Sequence, residues 1–149
     1  MKNTVPEIFD RQLYLNRRER LLQNPKREDF LWRHMAESID TSLQDVAYNF
    51  DRCLLTLPDP AIAEHMPTLM KKTQNRVIGG PTQNSFDIFL DEENMAIEPE
   101  SFDLIISIGS LHVVNDLPGS LANYRRALKP NGLFLTCLLY TSPSPRDGS

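Results

Sequence analysis

The stretch that most constrains the fold is residues 102–108, Phe-Asp-Leu-Ile-Ile-Ser-Ile. Its apolar residues are nearly continuous and rich in β-branched side chains, with polar side chains only at Asp103 and Ser107. A strand with one face in water alternates apolar and polar residues, whereas a strand covered on both faces is apolar almost throughout. The sequence therefore predicts a buried strand in a parallel sheet that carries helices on both sides.

A helix and a second strand follow this run. Residues 118–128 begin with Pro118, which is favoured in the first turn of a helix, and they place Tyr124 on an apolar side. Residues 129–132, Lys-Pro-Asn-Gly, are a predicted turn, and residues 133–135 open another strand. A strand, a helix and a strand in succession indicate a right-handed crossover. The predicted fold class is α/β.

Shorter elements precede this unit. They are recognised from apolar residues at helical spacing, or from short apolar runs that end at proline or glycine. The predicted helices cover residues 6–22, 28–40 and 61–72, the last interrupted by Pro67, and the predicted strands cover residues 53–57, 76–78 and 86–90.

The composition is that of one ordinary globular domain. A chain of 149 residues with a net charge of −4 has room for one domain and lacks the basic surface that nucleic acid requires. No apolar run approaches the roughly 20 residues of a membrane span. Because Glu7 and Asp10 lie in an N-terminus without an apolar core, we expect neither a signal nor a transit peptide, and a cytoplasmic location. The 2 cysteines and 3 histidines are scattered, so no metal site is expected.

The last residues differ from the rest. Residues 137–147, Cys-Leu-Leu-Tyr-Thr-Ser-Pro-Ser-Pro-Arg-Asp, correspond to one reading frame of a transposon-end adapter used to prepare sequencing libraries. We therefore expect residues 137–149 to be a non-native tail, and the biological sequence to stop near Thr136, within a strand. The alternative is a flexible tail rich in proline and serine.

Four segments follow one another in a characteristic order. They are residues 91–95 (Asp-Glu-Glu-Asn-Met), 101–107 (Ser-Phe-Asp-Leu-Ile-Ile-Ser), 110–118 (Ser-Leu-His-Val-Val-Asn-Asp-Leu-Pro) and 128–134 (Leu-Lys-Pro-Asn-Gly-Leu-Phe). This succession resembles the second half of the class I S-adenosylmethionine-dependent methyltransferases. It is most similar to the branch that contains α-proteobacterial methyltransferase-like proteins and a mitochondrial complex I assembly factor. The resemblance implies a Rossmann-like core with N-terminal helices, truncated within a late strand.

The resemblance also implies a cofactor, S-adenosylmethionine, lying across the carboxyl ends of the strands. In that arrangement Asp91 and Glu92 would lie beside the adenine; the alternative is an ordinary solvated loop. Ser107 and Gly109 would lie near the methionine moiety. His112 is a candidate catalytic base, and the alternative is a structural histidine held by hydrogen bonds.

The first half of the chain departs from the family pattern. The family binds its cofactor through a glycine-rich loop after the first strand, because glycine lets the backbone approach the ligand. This chain has Pro58-Asp59-Pro60 there and no glycine before Gly79. The acidic residue that holds the ribose hydroxyls is replaced by Gly79-Gly80. Asp59 could supply a carboxylate instead, and we expect weak cofactor binding.

Charge is distributed unevenly along the chain. Residues 85–116 contain eight acidic residues and no lysine or arginine, whereas residues 1–33 carry eight basic and five acidic residues. One interpretation is a basic N-terminal cap over an acidic rim, or docking on an acidic partner. The other, which we prefer, is a pair of solvated faces that differ in charge.

Two main hypotheses on function follow. The first is an enzyme that transfers a methyl group from S-adenosylmethionine to an unknown acceptor. The second is a non-catalytic relative that acts through contacts with a partner protein, as in the assembly of a respiratory complex. Methyl transfer to an acyl carrier protein rests on fold analogy alone. The expected domains are a helical cap over residues 1–50, a partial methyltransferase domain over 51–136 and the tail over 137–149.

Overall fold

The computed structural model describes residues 10, 12, 13, 16, 17, 20, 30–81, 85–109, 111 and 114–137. Residues 12, 13, 16, 17 and 20 are helical, in agreement with the helix predicted over residues 6–22. The further elements in chain order are α1 (Phe30–Leu43), β1 (Phe50–Thr56), a 3-10 helix (Pro60–His65), α2 (Pro67–Lys72), β2 (Thr73–Gly80), β3 (Ile88–Phe89), β4 (Phe102–Ile108), α3 (Leu117–Ala127) and β5 (Leu128–Cys137).

Five parallel strands form one sheet in the order β3-β2-β1-β4-β5. β1 lies in the middle, where Leu54 pairs with Val77 of β2 on one side and with Ile105 of β4 on the other. β2 and β3 therefore extend the sheet on one side of β1, and β4 and β5 extend it on the other side. This order is that of the doubly wound fold, in which ligands bind at the carboxyl ends of the strands beside the point of reversal. The predicted α/β fold class is confirmed.

Apolar side chains cover both faces of the sheet. One face packs against α1, the 3-10 helix and α2, and its buried residues include Leu55, Ile62 and Ile106. The opposite face packs against α3 and includes Leu54 and Ile105. Burial of each such side chain stabilises the fold by about 1.5–3 kcal/mol. The continuous apolar sequence of β4 is explained by this double coverage, as predicted.

Two aspartates fix the beginnings of neighbouring elements. The buried carboxylate of Asp40, on α1, accepts hydrogen bonds from the backbone N–H groups of Thr68 and Leu69 at 3.0 and 2.8 Å. These amides belong to the first turn of α2, which is only 6 residues long and has no side-chain cap of its own. In the same way, the carboxylate of Asp103 accepts from the N–H groups of Asp51 and Arg52 at 2.7 and 2.8 Å. Asp103 thereby holds the start of β1 against β4.

Several predicted boundaries need correction. β1 begins at Phe50 and not at residue 53, because Asp103 holds the N–H groups of the exposed residues Asp51 and Arg52, a contact that an apolar run does not reveal. β3 consists of Ile88 and Phe89, which is shorter than the predicted 86–90. The interrupted helix over 61–72 is a 3-10 helix followed by α2, and Pro67 opens the second of these, as its missing N–H favours.

The predicted turn over residues 129–132 is present as an irregularity within β5. Phe102 pairs with Leu128 and Leu104 with Leu133, so four residues of β5 lie opposite one residue of β4. Asn131 there has a φ of 65°, which asparagine tolerates better than most residues do. No helix within the described part of the chain is long and apolar enough to cross a membrane.

Candidate functional site

The carboxyl ends of β1, β2 and β4 meet at one edge of the sheet. Thr56, the last residue of β1, pairs with Gly79 of β2 and with Ser107 of β4. The loops that leave this edge contain Asp59 after β1, the acidic pair at residues 91 and 92 after β3, and Gly109 after β4. The structure thus brings the loops with the predicted residues to the edge where doubly wound proteins bind ligands.

Asp59 caps the helix that follows it. Its buried side chain accepts a hydrogen bond from the backbone N–H of Ala61 at 3.0 Å, and its backbone is extended, as an N-cap requires. The flanking Pro58 and Pro60 have no N–H groups, and the N–H of Leu57 donates to the carbonyl of Gly79 at 3.4 Å. The donors of this loop are therefore largely used or absent.

Gly79 and Gly80 end β2 under two apolar side chains. A Cβ atom at Gly80 would stand 2.3 Å from Cε1 of Phe86, and one at Gly79 would stand 3.1 Å from Cβ of Leu90. The Phe86 ring therefore occupies the space into which a side chain from position 80 would point. Glycine at this position is explained by the packing of Phe86.

Gly109 has a comparable relationship to Trp32 of α1. It has a φ of 78°, in the region that glycine adopts readily, and a Cβ atom there would stand 2.5 Å from Cζ3 of the indole. The absent side chain thus admits Trp32 to the end of β4. Sequence reasoning assigned this space to a ligand, and the half-buried indole is the group that the structure places against it.

Asp91 and Glu92 have different surroundings. Asp91 is half-buried, and its carboxylate accepts from the N–H of Glu93 at 3.0 Å. Glu92 is only 4% exposed, and its Oε1 lies 3.2 Å from the hydroxyl of Tyr124. The carboxylate of Glu93 accepts from the N–H of Asn115 at 2.8 Å. Glu92 therefore faces a buried cluster, whereas Asp91 lies nearer the surface.

Tyr124 of α3 is the centre of that cluster. Its hydroxyl is 3.1 Å from Oγ1 of Thr56 as well as 3.2 Å from Glu92, and its ring packs on Phe134 with the centroids 5.1 Å apart. Ser107 also lies beside it and is fully buried, but its Oγ forms no hydrogen bond of normal geometry with any described residue. Four polar side chains are thus enclosed beneath the edge at which β1, β2 and β4 end, which we call the ligand edge.

Burial raises the pKa of the Tyr124 phenol well above its ordinary value, and the negative charge of Glu92 raises it further. The hydroxyl groups of Thr56 and Ser107 oppose this shift only in part. Tyr124 therefore stays protonated at neutral pH and serves as a hydrogen-bond donor. Sequence reasoning placed Tyr124 in the core but missed its polar role; the available signal was that a buried tyrosine normally needs a partner for its hydroxyl.

The acidic side chains of residues 85–116 have structural roles in most cases. Six of the eight accept hydrogen bonds, five from backbone N–H groups and Glu92 from a hydroxyl; they are Asp87, Asp91, Glu92, Glu93, Asp103 and Asp116. Asp116, for example, caps α3 by accepting from Gly119. These contacts give most of the acidic side chains a role within the fold. Both interpretations of the charge distribution stay predictions, because most of residues 1–33 lie outside the described residues.

Two predictions remain, the catalytic candidate and the metal site. His112, the candidate catalytic residue, lies outside the described residues. Within the described ranges, no three histidine, cysteine or acidic side chains are grouped as metal ligands would be.

The residues at the ligand edge fit S-adenosylmethionine only in part. The ends of the edge, at Asp91 and Gly109, lie in loops that a nucleoside and an amino acid would reach in a doubly wound fold. The middle does not fit the expected contacts. The loop after β1 offers few free N–H groups, Asp59 is engaged with Ala61, and Phe86 covers the end of β2.

Comparison with protein families gives a match to a methyltransferase domain over residues 66–136. The matched part includes β2, β3, β4, α3 and nearly all of β5. It begins after the loop that follows β1, so the match does not include the divergent Pro58-Asp59-Pro60 segment.

Similar proteins are known. The chain is 30% identical to the human protein named arginine-hydroxylase NDUFAF5, mitochondrial, and 29% identical to that of Mus musculus; each alignment covers 95% of this chain and 48% of the relative. The chain thus spans about half the length of the curated relatives it matches. Among solved structures, N-methyltransferase NodS from Bradyrhizobium japonicum in complex with S-adenosyl-L-homocysteine has a TM-score of 0.62 at 14% identity, covering 82% of this chain and 71% of NodS. This likeness establishes a shared fold.

Proposed function

We propose that this chain, which belongs to the class I methyltransferases, binds S-adenosylmethionine weakly at the carboxyl ends of its strands and takes part in group transfer to a protein acceptor. The observation that carries this function is the strand order β3-β2-β1-β4-β5. With that order, the loops after β1, β3 and β4 meet at one edge, and N-methyltransferase NodS shares the fold.

The chain's own residues would contribute at the two ends of that edge. Asp91 is the acidic side chain best placed to accept from the adenine amino group, because Glu92 is turned toward Tyr124. Gly109 lies at the end of β4, where the methionine moiety would lie beside the indole of Trp32, which takes the space of the missing side chain. When bound, the sulfonium of the cofactor supplies the electrophilic methyl group. Ser107 is fully buried beneath this edge and would act only through its neighbours. His112 stays a candidate base.

The acceptor is proposed from the relatives. Because the curated relatives are named arginine hydroxylases, an arginine side chain of a partner protein is the acceptor class to test first. Nucleic acid is not proposed as a partner, since the net charge is −4.

The direct test is methyl transfer from radiolabelled S-adenosylmethionine to arginine-containing proteins of the source cell. Label that appears in a protein and disappears when the chain is omitted would support the enzyme. A matched reaction with Asp91→Asn keeps the shape of the loop and removes the carboxylate charge, so transfer should fall. The absence of label at millimolar cofactor would contradict an enzymatic role.

A second candidate function is favoured by a specific observation. The loop after β1 is closed by Pro58, by Pro60 and by the cap from Asp59 to Ala61. A protein that keeps the fold for contacts with a partner, as in the assembly of a respiratory complex, would have no need of an open loop. Recovery of a specific stable partner by a chain that fails to bind cofactor would favour this candidate.

The proposed location is the cytoplasm. It is supported by the two cysteines, which are free thiols, as is usual in reducing compartments. The alternative is the mitochondrion, which the names of the relatives designate. Fractionation of the source cell with an antibody against the chain would decide between the two compartments.

A further inference from the structure

Tyr124 connects two parts of the ligand edge that are far apart in sequence. Its hydroxyl lies 3.1 Å from Thr56, the last residue of β1, and 3.2 Å from Glu92, in the loop after β3. In the sheet, β2 separates β1 from β3. One side chain from α3 therefore spans from the central strand to the loop at the outer strand.

Glu92 needs such a contact because it is buried. A carboxylate that is 4% exposed has lost most of its hydration, and it is stable as an anion only where donors replace the lost water. The phenol of Tyr124 is one such donor. The backbone carbonyl of Glu92 also accepts from Nδ2 of Asn123, at 3.3 Å, so that two adjacent residues of α3 hold this one loop residue.

The hydroxyl is also held in place from its other side. Tyr124 is 1% exposed, and its ring is fixed by contact with Phe134 of β5. Thr56 completes the arrangement, since its Oγ1 lies next to the phenol at the end of β1. A movement of the loop after β3 would therefore have to break a hydrogen bond to a side chain that cannot follow.

We propose that Tyr124 is a positioning residue, whose hydroxyl holds the loop containing Asp91 and Glu92 at a fixed distance from the end of β1. This role rests on the proposed function, because the distance matters for a ligand that spans from one loop to the other. The hydrogen bond to Glu92 then anchors the loop from below. Because Asp91 is the adjacent residue in the chain, its position at the site is fixed as well.

The test is amide hydrogen exchange of the full chain, with Tyr124→Phe compared with wild type. Removing the hydroxyl takes the phenol donor away from the buried carboxylate, so exchange of residues 90–95 should accelerate by at least about tenfold, while exchange in β2 and β4 stays unchanged. Tyr48→Phe is the matched control, since it removes a hydroxyl from a side chain that is 54% exposed. Unchanged exchange at residues 90–95, or equal acceleration throughout the sheet, would overturn the positioning role.

Two further variants separate positioning from mere stability. Glu92→Gln in the Tyr124→Phe background removes the buried charge, so exchange of residues 90–95 should slow again relative to Tyr124→Phe alone. Failure of this rescue would count against the anchor. If Tyr124→Phe does not fold, Thr56→Val removes the hydroxyl on the other side at nearly constant volume and should give a smaller acceleration in the same residues; no acceleration would again contradict the role.

Titration with S-adenosylhomocysteine distinguishes this role from the proposed function. If wild type binds and Tyr124→Phe binds at least about fivefold more weakly, both are supported. Equal affinities of wild type and Tyr124→Phe would show that the position of the loop does not affect ligand binding. If wild type shows no binding at ligand concentrations well above about a millimolar while the exchange result holds, the proposed function fails and the anchor of the loop is supported on its own.

Discussion

The indole of Trp32 lies where the side chain of any other residue at position 109 would have to stand, with Cζ3 only 2.5 Å from the position of a Cβ atom. Because Gly109 also has a φ of 78°, two independent effects oppose its replacement. The contact joins α1 to the end of β4, so it also determines what covers this end of the ligand edge.

Gly109→Ala should lower the free energy of unfolding by at least about 2 kcal/mol, because it adds a left-handed alanine and overpacks the contact with Trp32. Urea denaturation would measure the loss. Trp32 is the chain's single tryptophan, so its emission should also shift as the indole is displaced. Gly79→Ala is the control: its Cβ would meet Leu90 at 3.1 Å without a positive φ, and its cost should be smaller. Equal costs would contradict the assignment.

Asp40→Ala should lower the free energy of unfolding by about 1.5–3 kcal/mol, because the first amides of α2 lose a charged acceptor in a buried place. Chemical denaturation is the measurement, and Asp45→Ala, an exposed aspartate just beyond the same helix, is the matched control. A change of less than about 0.5 kcal/mol in Asp40→Ala would show that water replaces the carboxylate at no cost.

The two thiols should differ in reactivity. Cys53 is fully buried, and burial raises the pKa of its thiol far above the ordinary value, with a smaller contribution from Asp103. Burial also raises the pKa of Cys137, which is only half-buried. A thiol reagent at neutral pH should therefore modify Cys137 first, and Cys53 only at the rate of unfolding. Mass spectrometry of timed samples would show the order, and preferential modification of Cys53 would contradict the packing of β1.

Stability should fall at alkaline pH. The pKa of Cys53 is raised in the folded chain, so above about pH 9, the ordinary value for a thiol, the unfolded chain releases a proton that the folded chain keeps. The unfolded state then binds fewer protons, and the free energy of unfolding declines by up to about 1.4 kcal/mol per pH unit for this group. Above about pH 10, Tyr124 adds to the decline for the same reason.

Denaturation at several pH values would test this linkage. Cys53→Ala should flatten the decline that begins near pH 9, and Tyr124→Phe should flatten the part above pH 10. Tyr48→Phe, which removes a phenol hydroxyl at an exposed position, is the control for the substitution itself. Identical slopes in all four proteins would contradict the burial of these groups.

The elements of the sheet with the strongest patterns could be predicted from sequence. Residues 102–108 form β4 with the predicted bounds because an uninterrupted apolar run has few alternatives to a strand covered on both faces. β3 is harder to predict, since in the described part of the chain Ile88 and Phe89 pair with Gly79 and Gly80 and with no second strand. Element bounds of this kind depend on tertiary pairing that a short run does not encode.

The site could be predicted only as a set of loops. Strand order places residues 59, 91 and 109 at one edge, and this follows from the βαβ pattern. The direction of each side chain does not follow from the pattern. Glu92 turns inward because Tyr124, 32 residues later, offers a hydroxyl. Likewise, Asp59 caps Ala61 because Pro60 begins a 3-10 helix there. These orientations depend on contacts between distant segments.

Calorimetric titration with S-adenosylmethionine tests the central claim most directly. The chain should bind with a dissociation constant of about a millimolar or weaker, which is about −4 kcal/mol, because the loop after β1 and the end of β2 do not fit the middle of the cofactor. Pro58→Gly combined with Pro60→Gly should restore N–H groups to the loop and tighten binding by at least about tenfold. Micromolar binding by wild type, or no gain in a folded double variant, would contradict the account.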